Sequence, residues 1–378
     1  MKKVLFFIES LAGGGAEKVL STIVKHLDKQ NYSITVMTVT KTGVYVEEVE
    51  KYAKIISLLP HYSPTSNILD RIKYHLAYKE IYHSSPERIY KKYVKDLYDV
   101  EVAFVEGFAT KFIAASTNPN SRKICWVHID MEKNPYADLS YDSIAEERKT
   151  YLKYDSIVGV SNSVKAAFER KFDLHDRVTV IYNPIDCEEI RQKAVNATVV
   201  LEKGKVNLVA VGRLEDQKGF DRLIHAIRNC KASTNMHLYI LGEGSKRSQL
   251  EAMIKEFGLT RHITLVGFKN NPYPWINACD ALICTSRAEG YSLVIAEAMV
   301  LGKPVASVDC AGPNELLDFG KYGLLFPNTD DSIEATINTF ASGAFDYEKF
   351  SMLSRTRSTF FDIVTIMQQI DQILSTSF

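Results

Sequence analysis

The stretch ALICTSRAEGYSLVIAEAMVLGKPVASV, residues 281–308, alternates between strand-like and helix-like apolar segments. Residues 281–285 form a short apolar run typical of a strand, and a similar run follows at 304–308. Between them, residues 292–301 have the composition of a helix, with Ser292 at the N-cap and Gly302-Lys-Pro304 as its end. A strand, a helix and a strand in this order imply parallel pairing, so the stretch predicts an α/β fold.

Two glutamates stand out within this stretch. Glu297 is the only charged residue of a helix that is otherwise apolar on every side, and such a helix is usually buried. A buried carboxylate is unfavourable unless a donor pairs with it, so we expect Glu297 to meet one from the fold or from a ligand. Glu289 lies on the loop before the helix, where backbone N–H groups favour anions. The alternative is that Glu297 caps a neighbouring loop and Glu289 is a solvated loop residue.

The same alternation occurs in two successive sets along the 378 residues. Strands are predicted at 4–8, 33–40, 100–105, 123–127, 156–160 and 178–182, and then at 206–211, 237–241, 263–266, 281–285, 304–308 and 323–326. We therefore expect two doubly wound Rossmann-like domains at 1–186 and 187–350, facing each other across a ligand-binding cleft, with a polar linker near 187–204. The helical spacing of the final segment, 351–378, allows a return to the first domain without requiring it.

Composition excludes several classes of protein. Lys+Arg and Asp+Glu are both 46, so the net charge is zero and binding of the whole chain to nucleic acid is not indicated. The six cysteines include no C-x-x-C pair and no zinc spacing, which is typical of buried thiols in a reducing compartment. The apolar run at the N-terminus is too short for a signal peptide, and no stretch is long enough to span a membrane. We expect a cytoplasmic protein that works at the membrane periphery.

Three loops carry the candidate chemistry. Gly13-Gly-Gly15 follows the first strand and opens a helix, where a phosphate can approach the backbone, although a tight turn explains the glycines equally well. It matches neither a P-loop nor the dinucleotide fingerprint. Arg213 and Lys218 share the loop after the strand at 206–211. The planar guanidinium of Arg213 and the mobile ammonium of Lys218 together suit a diphosphate. We prefer this interpretation to the alternative, in which both are surface residues whose charges are balanced by their acidic neighbours. His128 ends another strand, where it can bond a sugar hydroxyl, carry a proton or simply pack beside Trp126.

Taken together, these motifs resemble glycosyltransferase family 4, the retaining nucleotide-sugar transferases of GT-B fold. The motifs that carry the resemblance are Gly13-Gly-Gly-Ala-Glu17, His128, Val160-Ser-Asn162, Tyr182-Asn-Pro184, Gly212-Arg-Leu214, Lys218-Gly219, Leu241-Gly-Glu-Gly244, Gly267-Phe268, Glu289-Gly290, Glu297-Ala298, Gly302-Lys-Pro304 and Gly312 to Glu315. They run in order from residue 1 to about residue 327, and residues 57–99 match no motif of the family.

The resemblance also implies roles for the candidate residues. Arg213 and Lys218 would hold the donor diphosphate and offset the charge of the leaving group, so no metal would be required. Glu297 would bind the ribose hydroxyls, and Glu289 with Gly290 would face the donor sugar. From the N-terminal, acceptor-side domain, Gly14 and Gly15 would approach the phosphates and His128 would contact the sugar. The resemblance thus implies a catalytic role for Glu289, His128, Arg213 and Lys218. It implies donor binding by Gly14, Gly15, Arg213, Lys218, Glu289, Gly290 and Glu297.

Residues 71–98 have an unusual composition. Seven basic residues stand against three acidic ones, and six tyrosines are interleaved with them. Such a segment suits an anionic membrane surface or nucleic acid, and a solvated helix pair whose tyrosines cover the sheet explains it equally well. With the balanced overall charge, we expect a membrane surface and no nucleic acid.

The sequence thus predicts a retaining transferase that moves a sugar from a nucleotide diphosphate sugar, most plausibly a UDP-sugar, to a glycan acceptor. The family implies a lipid-linked acceptor in bacterial surface polysaccharide synthesis, at the inner face of the cell membrane. Two alternatives stay open at this point: a nucleotide-sugar epimerase of the same architecture, and an inactive module that only binds sugar nucleotides.

Overall fold

The computed structural model describes residues 1–60, 67–230 and 233–376, and these form two compact units. The first unit contains Met1–Pro184 together with the chain from Val364 onward, and the second contains Ile185–Ile363. Each unit is a parallel sheet with helices, which confirms the predicted α/β class.

The first unit is built on a seven-stranded parallel sheet with the order β3-β2-β1-β4-β5-β6-β7. Its strands are β1 (Lys2–Ile8), β2 (Tyr32–Thr38), β3 (Lys54–Ser57), β4 (Val100–Ala103), β5 (Arg122–Val127), β6 (Ser156–Gly159) and β7 (Val178–Val180). Its helices are α1 (Gly15–His26), α2 (Val46–Glu50), α3 (Ile68–His83), α4 (Pro86–Tyr93), α5 (Phe108–Ile113), α6 (Ile144–Tyr151) and α7 (Asn162–Phe172). Strand β1 is apolar and central, and its Phe7 stacks on Phe112 of α5 at 4.4 Å between ring centroids.

The second unit is built on a six-stranded parallel sheet with the order β10-β9-β8-β11-β12-β13. Its strands are β8 (Val206–Val211), β9 (Met236–Leu241), β10 (Ile263–Gly267), β11 (Ala281–Cys284), β12 (Val305–Val308) and β13 (Leu324–Phe326). Its helices are α8 (Cys187–Ala194), α9 (Phe220–Asn229), α10 (Arg247–Glu256), α11 (Tyr273–Ala278), α12 (Leu293–Val300), α13 (Ala311–Leu316), α14 (Asp330–Ala341) and α15 (Tyr347–Ser358). The short, mostly apolar strands β8, β9 and β11 are largely buried, as expected for a sheet covered on both faces.

The last helix, α16 (Ile363–Ser375), packs in the first unit. The hydroxyl of Tyr32 in β2 donates to the Asp371 carboxylate at 2.8 Å, and the Arg122 guanidinium donates to the backbone carbonyl of Ile373 at 2.6 Å. Ile370 and Leu374 are buried on the same side of the helix. The C-terminal end of the chain therefore packs on the sheet of the first unit, to which the N-terminal strand β1 also belongs.

One sequence interpretation of local structure is wrong. Residues 187–194 of the proposed linker form α8, which begins where the Asp186 side chain accepts from the Glu189 N–H at 2.9 Å and packs against α11 and α12. Ser292 does occupy the N-cap of α12, but it has a φ of 24° and its hydroxyl makes no capping bond. The motif Gly312 to Glu315 lies inside the short helix α13.

Among the helices that the structure describes, none combines the length and the apolarity needed to cross a lipid bilayer.

Candidate functional site

Both sheets reverse their strand order at one point, and most of the candidate residues follow the strands on either side of it. In the second unit β8 lies beside β11, and in the first unit β1 lies beside β4. Chain connections leave such a pair of strands in opposite directions, which opens a crevice at the carboxyl ends where ligands of this fold class bind. The loops after β8 and β11 carry Lys218 and Glu289.

These two side chains form an ion pair. The Lys218 Nζ lies 2.5 Å from the Glu289 Oε1, and the Ser286 hydroxyl donates to the same oxygen at 2.6 Å. Side-chain exposure is 19% for Lys218 and 9% for Glu289, so Glu289 is not the solvated loop residue of the alternative interpretation. Burial by itself lowers the pKa of Lys218, but the charge and hydrogen bond of Glu289 outweigh it, and the net shift is upward. Lys218 is therefore a charged ammonium held in place without a ligand.

A close backbone approach explains this contact. Gly219 has a φ of +65°, and a Cβ there would lie 2.2 Å from the carbonyl oxygen of Thr285, at the end of β11. Only glycine allows the loop after β8 to lie this close to the loop after β11. Gln217 ties the same two loops together by donating to the Ala288 carbonyl at 2.9 Å.

Arg213 adds a second cation to this site. Its side chain is exposed, and its charge is one of the influences on the pKa of Lys218, which places the two cations near each other. Within the described ranges of the chain, its guanidinium has no hydrogen-bond or ion-pair partner. An exposed guanidinium next to a fixed ammonium suits a diphosphate.

Glu297 lies on the helix that the Glu289 loop feeds. It is 5% exposed, as the apolar composition of α12 predicts. Burial and the nearby charge of Glu297 raise the pKa of Tyr273, so the Tyr273 hydroxyl stays neutral beside it. The N-terminus of α12 has no side-chain cap and so favours an anion. Gly312 packs against the loop before α12, because a Cβ on Gly312 would lie 2.8 Å from the carbonyl carbon of Gly290.

The glycine loop of the first unit is more acidic than the sequence suggested. Gly14 is the N-cap of α1, and a Cβ there would lie 2.3 Å from the Glu17 Oε2, so the Glu17 carboxylate folds back over the helix terminus. Burial, and then the charge of Glu17, raise the pKa of Glu9 at the end of β1. Two carboxylates beside Gly14 and Gly15 oppose an approaching phosphate, and the phosphate contact of these glycines stays a prediction.

His128 follows β5 in the first unit and is held by a residue that the sequence analysis missed. The carboxylate of Glu106, just after β4, accepts from the backbone N–H groups of His128 and, at 2.9 Å, of Ile129. The imidazole bonds the carbonyl of Phe104, and burial lowers the pKa of His128 to about 4. The ring is therefore neutral near pH 7, and its Nε2 is buried with no partner in the described part of the chain. A neutral ring at pH 7 favours a hydrogen-bond acceptor over a proton carrier.

Two sequence profiles match the chain over consecutive ranges. The profile described as Glycosyltransferase Family 4 matches residues 13–189, and the profile described as Glycosyl transferases group 1 matches residues 205–342. The chain belongs to the family 4 glycosyltransferases. The candidate residues of this transferase all lie within the two matched ranges.

Of two named relatives, one matches nearly the whole transferase and the other matches somewhat less than two thirds of it. It is 28% identical over 375 residues to an N-acetylgalactosamine-N,N'-diacetylbacillosaminyl-diphospho-undecaprenol 4-alpha-N-acetylgalactosaminyltransferase of Campylobacter jejuni, with 97% of each chain covered. It is 23% identical over 248 residues to a lipopolysaccharide 1,6-galactosyltransferase of Salmonella typhimurium, covering 63% of this chain and 64% of the relative.

The fold of the transferase is also that of solved glycosyltransferases. The structure of HepE from Anabaena in complex with UDP-glucose superposes with a TM-score of 0.76 at 21% identity, covering 99% of this chain and 100% of that one. The GT-B fold expected from the sequence is confirmed.

The predicted site residues of the transferase fall into two groups. Arg213, Lys218, Glu289, Gly290 and Glu297 all lie in the second unit, where Lys218 and Glu289 are in direct contact. The first unit contains the remaining three, Gly14, Gly15 and His128. Sequence reasoning overlooked Glu106 and Ser286. Glu106 could have been found, because Val105-Glu106-Gly107 places an acidic residue and a glycine directly after an apolar strand. In the residues that the structure describes, no group of three His, Cys, Asp or Glu side chains is arranged to hold a metal ion.

Proposed function

We propose that this glycosyltransferase moves a sugar from a UDP-sugar to a glycan acceptor on a lipid carrier, with retention of anomeric configuration. The observation that carries the proposal is the cationic site of the second unit. A fixed ammonium on Lys218, an exposed guanidinium on Arg213 and the uncapped N-terminus of α12 together suit a diphosphate.

The Lys218–Glu289 pair suggests how the site responds to its donor. A diphosphate carries more negative charge than one carboxylate and competes with Glu289 for the ammonium. Lys218 then stabilises the charge that develops on the leaving diphosphate, assisted by Arg213. Glu289, freed from Lys218, is left to bond the hydroxyls of the donor sugar, while Glu297 binds the ribose. In this scheme cationic side chains do the work that a metal ion does in other transferases.

The nature of the donor and acceptor is inferred from the relatives. HepE was crystallised with UDP-glucose, and the name of the Campylobacter relative specifies a diphospho-undecaprenol acceptor and an alpha linkage. The Salmonella relative acts on lipopolysaccharide by name. An alpha product from an alpha-linked donor requires retention, which we assign to same-face attack through a short-lived oxocarbenium-like ion pair. A role in bacterial surface polysaccharide synthesis, in the cytoplasm at the inner face of the cell membrane, is consistent with such substrates.

A lipid-linked acceptor calls for a membrane-facing surface, and we assign it to the helix pair α3 and α4, within residues 68–98. Tyr74, Tyr78 and Tyr82 of α3 form a run of ring contacts that ends on Phe108, with 5.0 Å between the centroids of Tyr82 and Phe108. The side of α3 that carries these tyrosines thereby packs against α5 of the same unit.

A different side of α3 bears an apolar stripe that faces solvent. Ile68, Leu69, Ile72 and Leu76 are 74, 68, 49 and 63% exposed, and their spacing places them on one face of the helix. Lys73 and Lys79 are also exposed on this helix. Exposed apolar side chains flanked by lysines suit the interface of an anionic bilayer. The stripe and the basic residues of 71–98 thus form one docking surface.

A ligand screen tests the donor assignment. Nucleotide sugars with UDP, GDP and ADP are added in turn, and the thermal unfolding temperature is measured, because a ligand that binds the folded state raises apparent stability. We expect the UDP-sugars to give the largest rise. Release of UDP and formation of a glycosylated acceptor then separate a transferase from an inactive binding module. If GDP- or ADP-sugars stabilise the protein more, the donor assignment is wrong.

A further inference from the structure

Glu106 is a buried carboxylate at the carboxyl edge of the first sheet. It is 5% exposed, and in the described ranges no lysine or arginine pairs with it. Instead, its Oε1 accepts from two successive backbone N–H groups, those of His128 and Ile129, at the end of β5. Gly107, with a φ of 77°, turns the chain directly after it into α5. The position of the carboxylate is therefore fixed from the strand on one side and the helix on the other.

This arrangement is unfavourable by itself. Burial raises the pKa of Glu106 to about 7, and the bonds from the two N–H groups lower it by less than burial raises it. A neutral residue at this position would avoid the cost of desolvating a charge. The Glu106 side chain is a fixed internal acceptor for N–H groups that, at this edge of an α/β sheet, are otherwise available to a ligand.

The contact determines where the His128 ring lies. The backbone at His128 is held by Glu106, and the ring packs at 5.0 Å from Phe104 and bonds the Phe104 carbonyl. After this bond, the ring has one nitrogen left, the buried Nε2, and no described residue satisfies it. A buried acceptor without a partner is unusual in a folded protein and indicates a place for a donor from a ligand.

We propose that Glu106 is a positioning residue of the transferase, which fixes the backbone at His128 so that the Nε2 accepts a hydrogen bond from a hydroxyl of the donor sugar. The inference rests on the proposed function and deepens it. Glu106 itself does not touch the substrate. Its effect on turnover passes through His128, and this makes the role testable.

The kinetic test uses a double-mutant cycle. Release of UDP from UDP-N-acetylgalactosamine and from UDP-glucose is measured for the full-length protein and for Glu106→Ala, Glu106→Gln, His128→Ala and the Glu106→Ala/His128→Ala pair. Displacing a reacting group by about 1 Å costs roughly a hundredfold in rate. We expect Glu106→Ala to lower kcat by about that factor with little change in KM. Glu106→Gln, which keeps an acceptor oxygen, should recover most of the loss, and Glu106→Ala should add little in the His128→Ala background.

A matched control separates positioning from stability. Glu101 is a fully buried carboxylate on the same strand, β4, where it accepts from the Tyr90 hydroxyl at 2.7 Å instead of from the β5 loop. Glu101→Ala should lower stability but leave kcat of the folded fraction within about threefold of the wild type. Equal losses in Glu101→Ala and Glu106→Ala, or a Glu106→Ala loss that is as large without His128 as with it, would overturn the inference.

A measurement without substrate tests the positioning of His128 separately from the proposed function. In protein with ¹⁵N-labelled histidine, the ring signal that disappears in His128→Ala belongs to His128. That signal should shift or broaden in Glu106→Ala and stay in place in Glu101→Ala. An unmoved signal in Glu106→Ala contradicts the positioning role. Absence of wild-type turnover with every donor and acceptor, with a moved signal, contradicts the proposed function alone.

Discussion

The Lys218–Glu289 pair is a resting state in which each charge takes the place of a ligand group. Lys218 carries its proton because Glu289 compensates for the desolvation, and Glu289 tolerates burial because Lys218 and Ser286 bond it. Neither residue is satisfied by solvent. A donor that displaces Glu289 therefore exchanges one ionic contact for another and does not have to desolvate a free charge.

Removal of this ammonium should weaken donor binding. Lys218→Ala deletes a charged contact to the diphosphate worth about 1.5–3 kcal/mol, so the Kd for UDP should rise roughly tenfold to a hundredfold. Isothermal titration calorimetry with UDP measures the change. Lys246→Ala is the control, because Lys246 lies near the same loop with its Nζ 2.8 Å from Asp216 at the surface. Equal Kd values for Lys218→Ala and the wild type would contradict the phosphate assignment.

Glu297 should affect binding of the donor more than its turnover. Glu297→Gln keeps the shape of the side chain but replaces a charged acceptor for the ribose hydroxyls with a neutral amide. We expect the donor KM to rise by about tenfold while kcat changes little, since a contact equally strong in ground and transition states alters only KM. Steady-state kinetics with varied UDP-sugar give both constants. A lowered kcat with an unchanged KM would show that Glu297 acts in the chemical step instead.

Individual helices were predictable where a local signal marks them. Helix α12 was recognised from its apolar run and from Gly302, because this pattern is complete within the segment. Helix α8 was not, since its sequence is polar and its burial depends on α11 and α12, which are distant in the chain. Ser292 lies at the N-cap as predicted, but a residue type does not reveal that the backbone there adopts a φ of 24° or that the hydroxyl makes no capping bond.

The two faces of helix α3 also differ in how far they could be predicted from the sequence. The tyrosines and basic residues were visible in the sequence, but the apolar stripe begins at Ile68, before the segment that composition singled out. Of the lysines on α4 and just after it, Lys92 pairs with Glu80, and Lys95 bonds the Lys91 carbonyl. The ion pair offsets the charge of Lys92, and the bond to the carbonyl holds the Lys95 side chain against its own helix. The stripe on α3 is the better target for mutation.

Polar substitution of the stripe should therefore reduce membrane binding. Ile72→Ser/Leu76→Ser removes most of the central apolar area, and we expect the fraction that floats with phosphatidylglycerol-containing liposomes to fall at least fivefold. The control is Val195→Ser/Val200→Ser, which removes two side chains that are 77 and 84% exposed in the second unit. Sedimentation of the protein alone distinguishes a second possibility for the stripe. If the wild type is a dimer that the variant abolishes and flotation is unchanged, the stripe joins two copies of the chain.

The order of the strands explains why the site forms and why sequence could not place it. The sequence predicted two alternating sets of strands and helices, and both sets exist. It did not predict that β8 lies beside β11, or β1 beside β4, because strand order in a parallel sheet depends on long-range packing. The contact between Lys218 and Glu289 follows from β8 lying beside β11, whereas that between Glu106 and His128 follows from the pairing of β4 with β5. Motifs revealed the residue types, and only the topology brought the pairs together.

Buried carboxylates in the first unit should also make the stability of the whole protein depend on pH. Burial raises the pKa of Glu147 to about 7, although Lys171 at 3.7 Å opposes the shift. In an unfolded chain this carboxyl titrates near pH 4.5, so between about pH 4.5 and 7 the folded protein binds more protons than the unfolded one. The free energy of unfolding should therefore fall as pH rises through this window, and Glu147→Gln should make the fall shallower.

The neighbouring Glu146 supplies the matched control, because its hydrogen bond to Lys111 lowers its pKa and its stabilisation is lost as pH falls. Glu146→Gln should leave the decline between pH 4.5 and 7 in place. Urea unfolding is followed by Trp126 fluorescence in a Trp275→Phe background, so that the signal comes from the first unit, because the chain has only 2 tryptophans. A slope that remains in Glu147→Gln comes from the other buried carboxyls of the first unit, Glu106, Glu9 and Glu101, because burial raises the pKa of each, and Glu106→Gln measures the share of Glu106. An unchanged slope in both Glu147→Gln and Glu106→Gln would mean that water reaches these carboxylates, and a buried anion could not then be what holds the loop at His128.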